Sequence, residues 1–279
     1  MHQLTARLRR LYRRMTDRRG YFGARLLGIR VPVFPLMHLP DGFQVEPLGE
    51  TGLTLVERFC TAAEAAAVIE LARGRLSESR ITINGRQVAD DYRRSQTAIV
   101  YDSFLRHPAV VPLLLRAGML LGLPGEHAEA VFVTRYAADG YYKPHADFAV
   151  GFDGDRLYTV LVYLNDLSAD AGGATAFDEL NVKVRPRCGR ALIWTNTNPD
   201  GSRHFETRHA ALPVRTGEKW VVQLWFRSYP MLPALKAEEP APQAAPGQPL
   251  QGGENLPRGI EAVLEIPPDS DYERAFEPR

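Results

Sequence analysis

Apolar and polar positions follow two different rhythms along this chain. Over residues 3–19, Leu4, Leu8, Leu11 and Met15 recur at spacings of four, three and four, with arginines on most other faces. That pattern predicts an amphipathic basic helix, either packed by its leucine stripe or used at a membrane surface or partner. Residues 30–50 are proline-rich and read as irregular. A helix is predicted from Thr61, because Thr61-Ala-Ala-Glu64 has capping-box spacing ahead of Val68, Ile69 and Leu71. Residues 77–95 are polar and carry a turn signal at Asn84-Gly85. Another helix is predicted over 108–121.

The rhythm then changes. Short apolar runs bounded by Gly, Asp, Asn and Pro predict strands at 96–101, 129–136, 157–164, 181–185, 190–195 and 219–227. Helices first and strands later, without βαβ alternation, predict an α+β chain that is mainly β. An antiparallel core buttressed by helices is expected, and a double-sheet jelly roll fits the strand count. From 236 the pattern dissolves into Ala, Pro, Gln, Gly and Glu, so 238–257 reads as a disordered linker. The tail, 258–279, regains Ile260, Val263, Leu264 and Ile266 and is either a docking segment or a disordered end. The expected division is a lead-in over 1–50, one domain over 51–232 and a mostly disordered end over 233–279.

Composition narrows the classes. With 279 residues, 45% of them hydrophobic, the chain can bury one sizeable core. A net charge of +1 argues against a protein that grips nucleic acid through phosphates. Val110–Leu123, the most apolar stretch, is interrupted by Pro112 and Arg116 and is too short to cross a bilayer. The N-terminus has no apolar segment of the secretory kind. Two cysteines, Cys60 and Cys188, make no disulfide framework, and the cytoplasm is the expected compartment. Only Lys143, Lys183, Lys219 and Lys236 are lysines among 34 basic residues; this skew, with abundant Ala and Pro, points to a GC-rich bacterial genome.

His145-Ala-Asp147 is the first chemical signal. At a strand end, residues i and i+2 share one face, so an imidazole and a carboxylate there can take adjacent positions on a metal. A second histidine must come from elsewhere. His209 is preferred to His204, which lies in the polar loop 197–207. Two histidines and one carboxylate leave open positions on an octahedral metal, as in non-haem Fe(II) oxygenases, whereas a closed zinc site wants four ligands. Lys219, ten residues after His209, is a candidate partner for the distal carboxylate of a dicarboxylic acid, or else an ordinary strand-start lysine.

These residues lie in a longer series. It runs Arg135-Tyr136, Gly140-Tyr141-Tyr142-Lys143-Pro144-His145-Ala146-Asp147, then Arg156 through Thr159 and Tyr163-Leu164-Asn165. It continues with Gly172-Gly173-Ala174-Thr175-Ala176-Phe177, Val184 to Gly189, His209 to Val214, Gly217-Glu218-Lys219-Trp220 and Trp225-Phe226-Arg227. In order and spacing the series resembles the prolyl 4-hydroxylase family of 2-oxoglutarate oxygenases over residues 130–228, and more faintly back to about 53, including Tyr92-Arg93-Arg94-Ser95.

The resemblance implies a double-stranded β-helix with supporting N-terminal helices. It implies His145, Asp147 and His209 as iron ligands, Lys219 at the C5 carboxylate of 2-oxoglutarate, and Tyr136, Thr175 and Tyr163 lining the cosubstrate pocket. Arg156 and Trp225 match positions near the iron and the substrate mouth. Fe(II), 2-oxoglutarate and O2 are the implied cofactors, with ascorbate to keep iron reduced. The implied reaction is hydroxylation of a prolyl residue in a peptide or protein; a free amino acid or small metabolite is the alternative, and a non-catalytic scaffold the third. The polar stretch 77–95 is a candidate lid with its hinge at Asn84-Gly85. Ala174 departs from the family's usual Gly-Gly-Glu-Thr.

Overall fold

The computed structural model describes residues 43–48, 51–83, 86–100, 107–149, 156–198, 203–228 and 231. The expected N-terminal helix, the linker over 238–257 and the tail over 258–279 lie outside them. Two antiparallel sheets and a hairpin are built from fifteen strands among these residues: β1 (Gln44–Pro47), β2 (Thr54–Glu57), β3 (Ser77–Glu78), β4 (Ile81–Ile83), β5 (Arg86–Val88), β6 (Arg93–Arg94), β7 (Gln96–Val100), β8 (Val131–Tyr136), β9 (Tyr141–His145), β10 (Arg156–Tyr163), β11 (Thr175–Phe177), β12 (Val182–Val184), β13 (Ala191–Thr195), β14 (His209–Ala211) and β15 (Lys219–Arg227). The large sheet has the order β1-β2-β13-β10-β15-β8-β7-β3, the small one β12-β11-β14-β9-β6, and β4 pairs β5. This is the jelly-roll arrangement of a mainly β chain.

Helices α1 (Ala62–Arg73) and α2 (Val111–Leu121) cover one face of the large sheet. The Thr61 hydroxyl accepts the Glu64 N–H at 3.1 Å, and the Glu64 carboxylate accepts the Thr61 N–H at 2.8 Å, so the capping box forms as its spacing predicts. Val68 of α1 and Leu113, Leu114 and Leu121 of α2 pack against Val133, Val160, Val162, Val222 and Leu224. The opposite face of the same strands presents Tyr136, Leu161, Tyr163, Trp194 and Val221 to the small sheet's Tyr142, Phe177 and Ala211. Both faces of the central strands are therefore buried, which is why β10, β13 and β15 read as continuous apolar runs rather than alternations.

Every strand predicted from an apolar run is present, with ends shifted by no more than two residues. The remaining strands were not legible. β1 lies in the segment read as irregular; its side chains are mostly exposed, so no alternation marks it. The polar stretch 77–95 is not a plain loop but holds β3, the β4–β5 hairpin and β6; the turn signal Asn84-Gly85 itself lies outside the described residues. No helix among the described residues is long and apolar enough to cross a membrane.

Candidate active site

The site lies between the two sheets, where β9 and β14 pair antiparallel and set His209 directly across from His145. Asp147 follows two residues after His145, just beyond the end of β9. All three side chains are buried, at 5%, 5% and 4% exposure, and their ligand atoms lie within 4.8 Å of one another. The sequence-preferred His209 is thus the histidine brought to the pair. His204 is used elsewhere: its Nδ1 is 2.8 Å from Thr195 Oγ1 and its Nε2 3.3 Å from Glu206 Oε2.

Each imidazole is aimed by its own backbone. His145 Nδ1 donates to the Lys143 carbonyl at 2.9 Å, and His209 Nδ1 to the Thr207 carbonyl at 3.0 Å. With Nδ1 committed as donor, each Nε2 keeps its lone pair and turns it toward Asp147, whose carboxylate oxygens lie 3.7 Å from both. His145 Nε2 is buried and has no hydrogen-bond partner. Thr159 Oγ1 donates to Asp147 Oδ2 at 2.8 Å and accepts from Asn196 Nδ2 at 2.9 Å, which orients the carboxylate. Burial, and then repulsion from His209, lowers the His145 pKa well below its ordinary value. Burial likewise lowers that of His209. Burial alone would raise the Asp147 carboxyl, but His209, His145 and Arg156 outweigh it and hold it low. Two neutral imidazoles and one ionised carboxylate, converging without protons between them, fit a divalent cation with open positions.

Aromatic rings wall the triad. Tyr142 stacks on His145 with centroids 3.5 Å apart, and Trp194 and Phe177 lie 4.6 and 5.5 Å from His209. Such walls exclude water and keep local charges strong.

A second constellation stands on β15, β8, β10 and β11. Lys219 is 1% exposed and its Nζ lies 3.4 Å from Thr175 Oγ1. The Nζ is 5.2 Å from the Tyr136 ring and 5.6 Å from that of Tyr163. Tyr163 OH donates to Thr175 Oγ1 at 2.7 Å. Burial pushes the Tyr163 hydroxyl pKa up, so it keeps the proton it donates. No carboxylate pairs with Lys219 among the described residues, and burial lowers its pKa to about 7. A buried ammonium without a counter-ion is costly unless an anionic ligand supplies the charge. The turn that brings Thr175 here needs Gly172 and Gly173, at φ +75° and +70°. A Cβ on Gly172 would run into the Pro213 carbonyl, and one on Gly173 would come within 2.7 Å of Leu167 Cδ1.

Arg156 does not stand open at a mouth. It is 2% exposed, its Nε and Nη2 each lie 2.9 Å from the Glu129 carboxylate, and its Nη1 donates to the Asp147 carbonyl at 3.0 Å. Its guanidinium carbon lies 4.0 Å from the Trp225 ring centroid, and Trp225 packs on Phe132 at 4.6 Å. Arg227 Nε also donates to Glu129, at 2.6 Å. Sequence reasoning missed Glu129, Thr159 and Asn196. Glu129 left one signal, a lone carboxylate at the threshold of the apolar run Ala130–Val133; the other two are ordinary polar residues until the fold places them.

Comparison with known proteins agrees with this geometry. A family model described as the 2OG-Fe(II) oxygenase superfamily matches residues 131–227, a range that contains the triad, Lys219, Tyr136, Thr175 and Tyr163. Residues 131–227 are thus similar to the 2OG-Fe(II) oxygenases, and the curated relatives point to a prolyl 4-hydroxylase-like member. Prolyl 4-hydroxylase subunit alpha-1 of Gallus gallus is 37% identical over 174 residues, covering 58% of this chain and 33% of that protein. Prolyl 4-hydroxylase subunit alpha-3 of Homo sapiens is 34% identical over 190 residues, covering 64% and 34%. The matched region is therefore about a third of the length of these curated relatives. Among solved structures, the viral collagen prolyl hydroxylase of Paramecium Bursaria Chlorella virus-1 superposes with a TM-score of 0.52 at 24% identity, covering 63% of this chain and 95% of that one. That similarity concerns the fold.

Proposed function

We propose that this oxygenase hydroxylates a prolyl residue in a peptide or protein, using Fe(II), O2 and 2-oxoglutarate, with residues 51–232 as the catalytic unit. The observation that carries this reading is the pairing of two features in one buried site: a His-Asp-His triad with its lone pairs free, and a lysine with no carboxylate partner among the described residues. The first suits a metal and the second an anion. A dicarboxylate that chelates a metal by one end and reaches a lysine by the other satisfies both.

His145, Asp147 and His209 would hold Fe(II). Bound there, iron supplies the redox chemistry that couples O2 and decarboxylation of 2-oxoglutarate, to succinate and CO2, to hydroxylation of a C–H bond. The chain's own residues do the positioning. Lys219 binds the distal carboxylate of 2-oxoglutarate, with Thr175 and the Tyr163 hydroxyl beside it. Tyr136 closes the pocket behind the ammonium. Tyr142, Trp194 and Phe177 keep bulk water from the reacting atoms. Arg156, locked on Glu129 and stacked on Trp225, holds the Asp147 backbone so that the carboxylate presents one face. Prolyl specificity is supported by the curated relatives, whose names are those of prolyl 4-hydroxylase subunits. Ascorbate would serve to return oxidised iron to the ferrous state.

The test is succinate formation from 2-oxoglutarate by the full chain with Fe(II) and ascorbate, with and without proline-rich peptides. Peptide-stimulated succinate and a peptide heavier by one oxygen atom are expected. Turnover indifferent to every peptide would replace the substrate with a free amino acid or small metabolite. No succinate from protein that retains iron would end the enzymatic reading.

A further inference from the structure

Phe205 is 62% exposed, the most exposed large apolar side chain among the described residues. It opens a single 3-10 turn, Phe205–Thr207, whose last carbonyl fixes the His209 ring. It therefore stands four residues before a metal ligand and belongs to neither core cluster. Phe148 directly follows Asp147 and is half-buried. Arg203 joins the two: its guanidinium carbon lies 5.4 Å from the Phe148 ring and 5.4 Å from the Phe205 ring. One arginine thus lies beside two aromatics, one next in sequence to Asp147 and one four residues before His209.

Scattered single apolar residues on a surface need no explanation, but a clustered aromatic pair at the rim of a buried site does. Neither ring helps the fold by filling a core. Both rings lie within cation–π reach of Arg203, which draws them together around one guanidinium. Proline-rich segments are recognised on such surfaces. They are extended before binding, so little order is lost. Their rings stack on aromatic faces, and their carbonyls, unpaired within the segment, accept hydrogen bonds from nearby donors such as a guanidinium. A small metabolite would be enclosed within the walled site and would leave Phe205 uncovered.

We propose that Phe148, Arg203 and Phe205 form a docking edge for the residues that flank the target proline of a peptide substrate; this rests on the hydroxylase reading above. The edge grips the chain outside the reaction centre, and the triad and Lys219 act on what it delivers. The experiment compares wild type, Phe205→Ala, Arg203→Ala and Phe205→Trp on proline-rich peptides, with melting temperatures to verify that exposed substitutions leave the fold in place. For Phe205→Ala, peptide KM should rise about tenfold, with the loss in KM rather than kcat, and Phe205→Trp should restore it because an aromatic face is retained. Arg203→Ala should raise peptide KM in the same way by releasing both rings. An unaltered peptide KM in Phe205→Ala overturns the docking edge and leaves the hydroxylase reading standing. Wild-type protein that consumes 2-oxoglutarate but hydroxylates no proline in any peptide overturns both.

Discussion

Lys219 and Tyr136 are direct cross-strand partners on β15 and β8, and the Lys219 ammonium lies 5.2 Å from the Tyr136 ring. With the Thr175 hydroxyl at 3.4 Å, that ring faces the lysine where a carboxylate would otherwise stand. An aromatic face attracts a cation but does not replace a carboxylate.

The first prediction concerns pH. Burial lowers Lys219 to about 7 in the native chain, against an ordinary value of 10.5. Between those two values the unfolded chain carries a proton that the native lysine has released. Native stability from this residue therefore rises with pH across that window, by at most about 1.4 kcal/mol per pH unit. Below about 7 both states are protonated and the contribution is flat. Urea unfolding without cosubstrate, at a series of pH values, should show a slope that Lys219→Met lacks. Equal slopes in the two proteins would refute the depressed lysine. Binding of 2-oxoglutarate above pH 7 should take up a proton, read by calorimetry in buffers of different ionisation enthalpy.

The metal triad gives a second. His145→Ala and Asp147→Ala should each abolish turnover and weaken binding of Fe(II) or a spectroscopic substitute such as Co(II), with far-ultraviolet circular dichroism unchanged. Chelation of wild-type protein should do the same, reversibly on adding Fe(II). Full activity in either variant would remove the assignment of the ligands.

Glu129 supports a third. It is 1% exposed and neutralises both Arg156 and Arg227. Glu129→Ala strands two buried guanidinium groups and should cost about 3–5 kcal/mol, the usual penalty for breaking a buried pair from one side. Arg156 would also lose the partner that aims it at the Asp147 carbonyl, so metal affinity should fall too. Denaturation and metal titration on one preparation would check both; a loss of less than about 1 kcal/mol would show that the network is not structural.

Thr61→Ala offers a local check away from the site. It removes the side-chain half of the capping box on α1 and should cost about 1 kcal/mol, with kinetics unaltered. Thr61→Ser should recover most of it.

What was legible in the sequence follows from how each feature is encoded. Capping of α1 depends on two residues three apart, so the spacing Thr61–Glu64 was enough. Strands β10, β13 and β15 were visible because both their faces are buried and the run is mostly apolar, and β7 and β8 because each carries a shorter apolar run. His145 and Asp147 are two residues apart at a strand end, a spacing that shares one face whatever the rest of the chain does.

Other features were settled only by tertiary structure. The short strands β1, β3, β6, β11 and β14 are held by pairing with distant partners, and two to four residues carry no period of their own. His209 could be preferred to His204 in advance, but it becomes the third ligand because β14 pairs with β9 and sets it opposite His145. Glu129 lies 27 residues from Arg156 and 98 from Arg227, and no spacing rule spans such gaps. The sequence by itself determined which chemical groups were available and the local geometry of neighbours. The tertiary structure decided which distant groups meet, how Lys219 lost its solvent with no carboxylate partner among the described residues, and that Phe205 is left exposed close in sequence to a metal ligand, because burial and long-range pairing are properties of the whole fold.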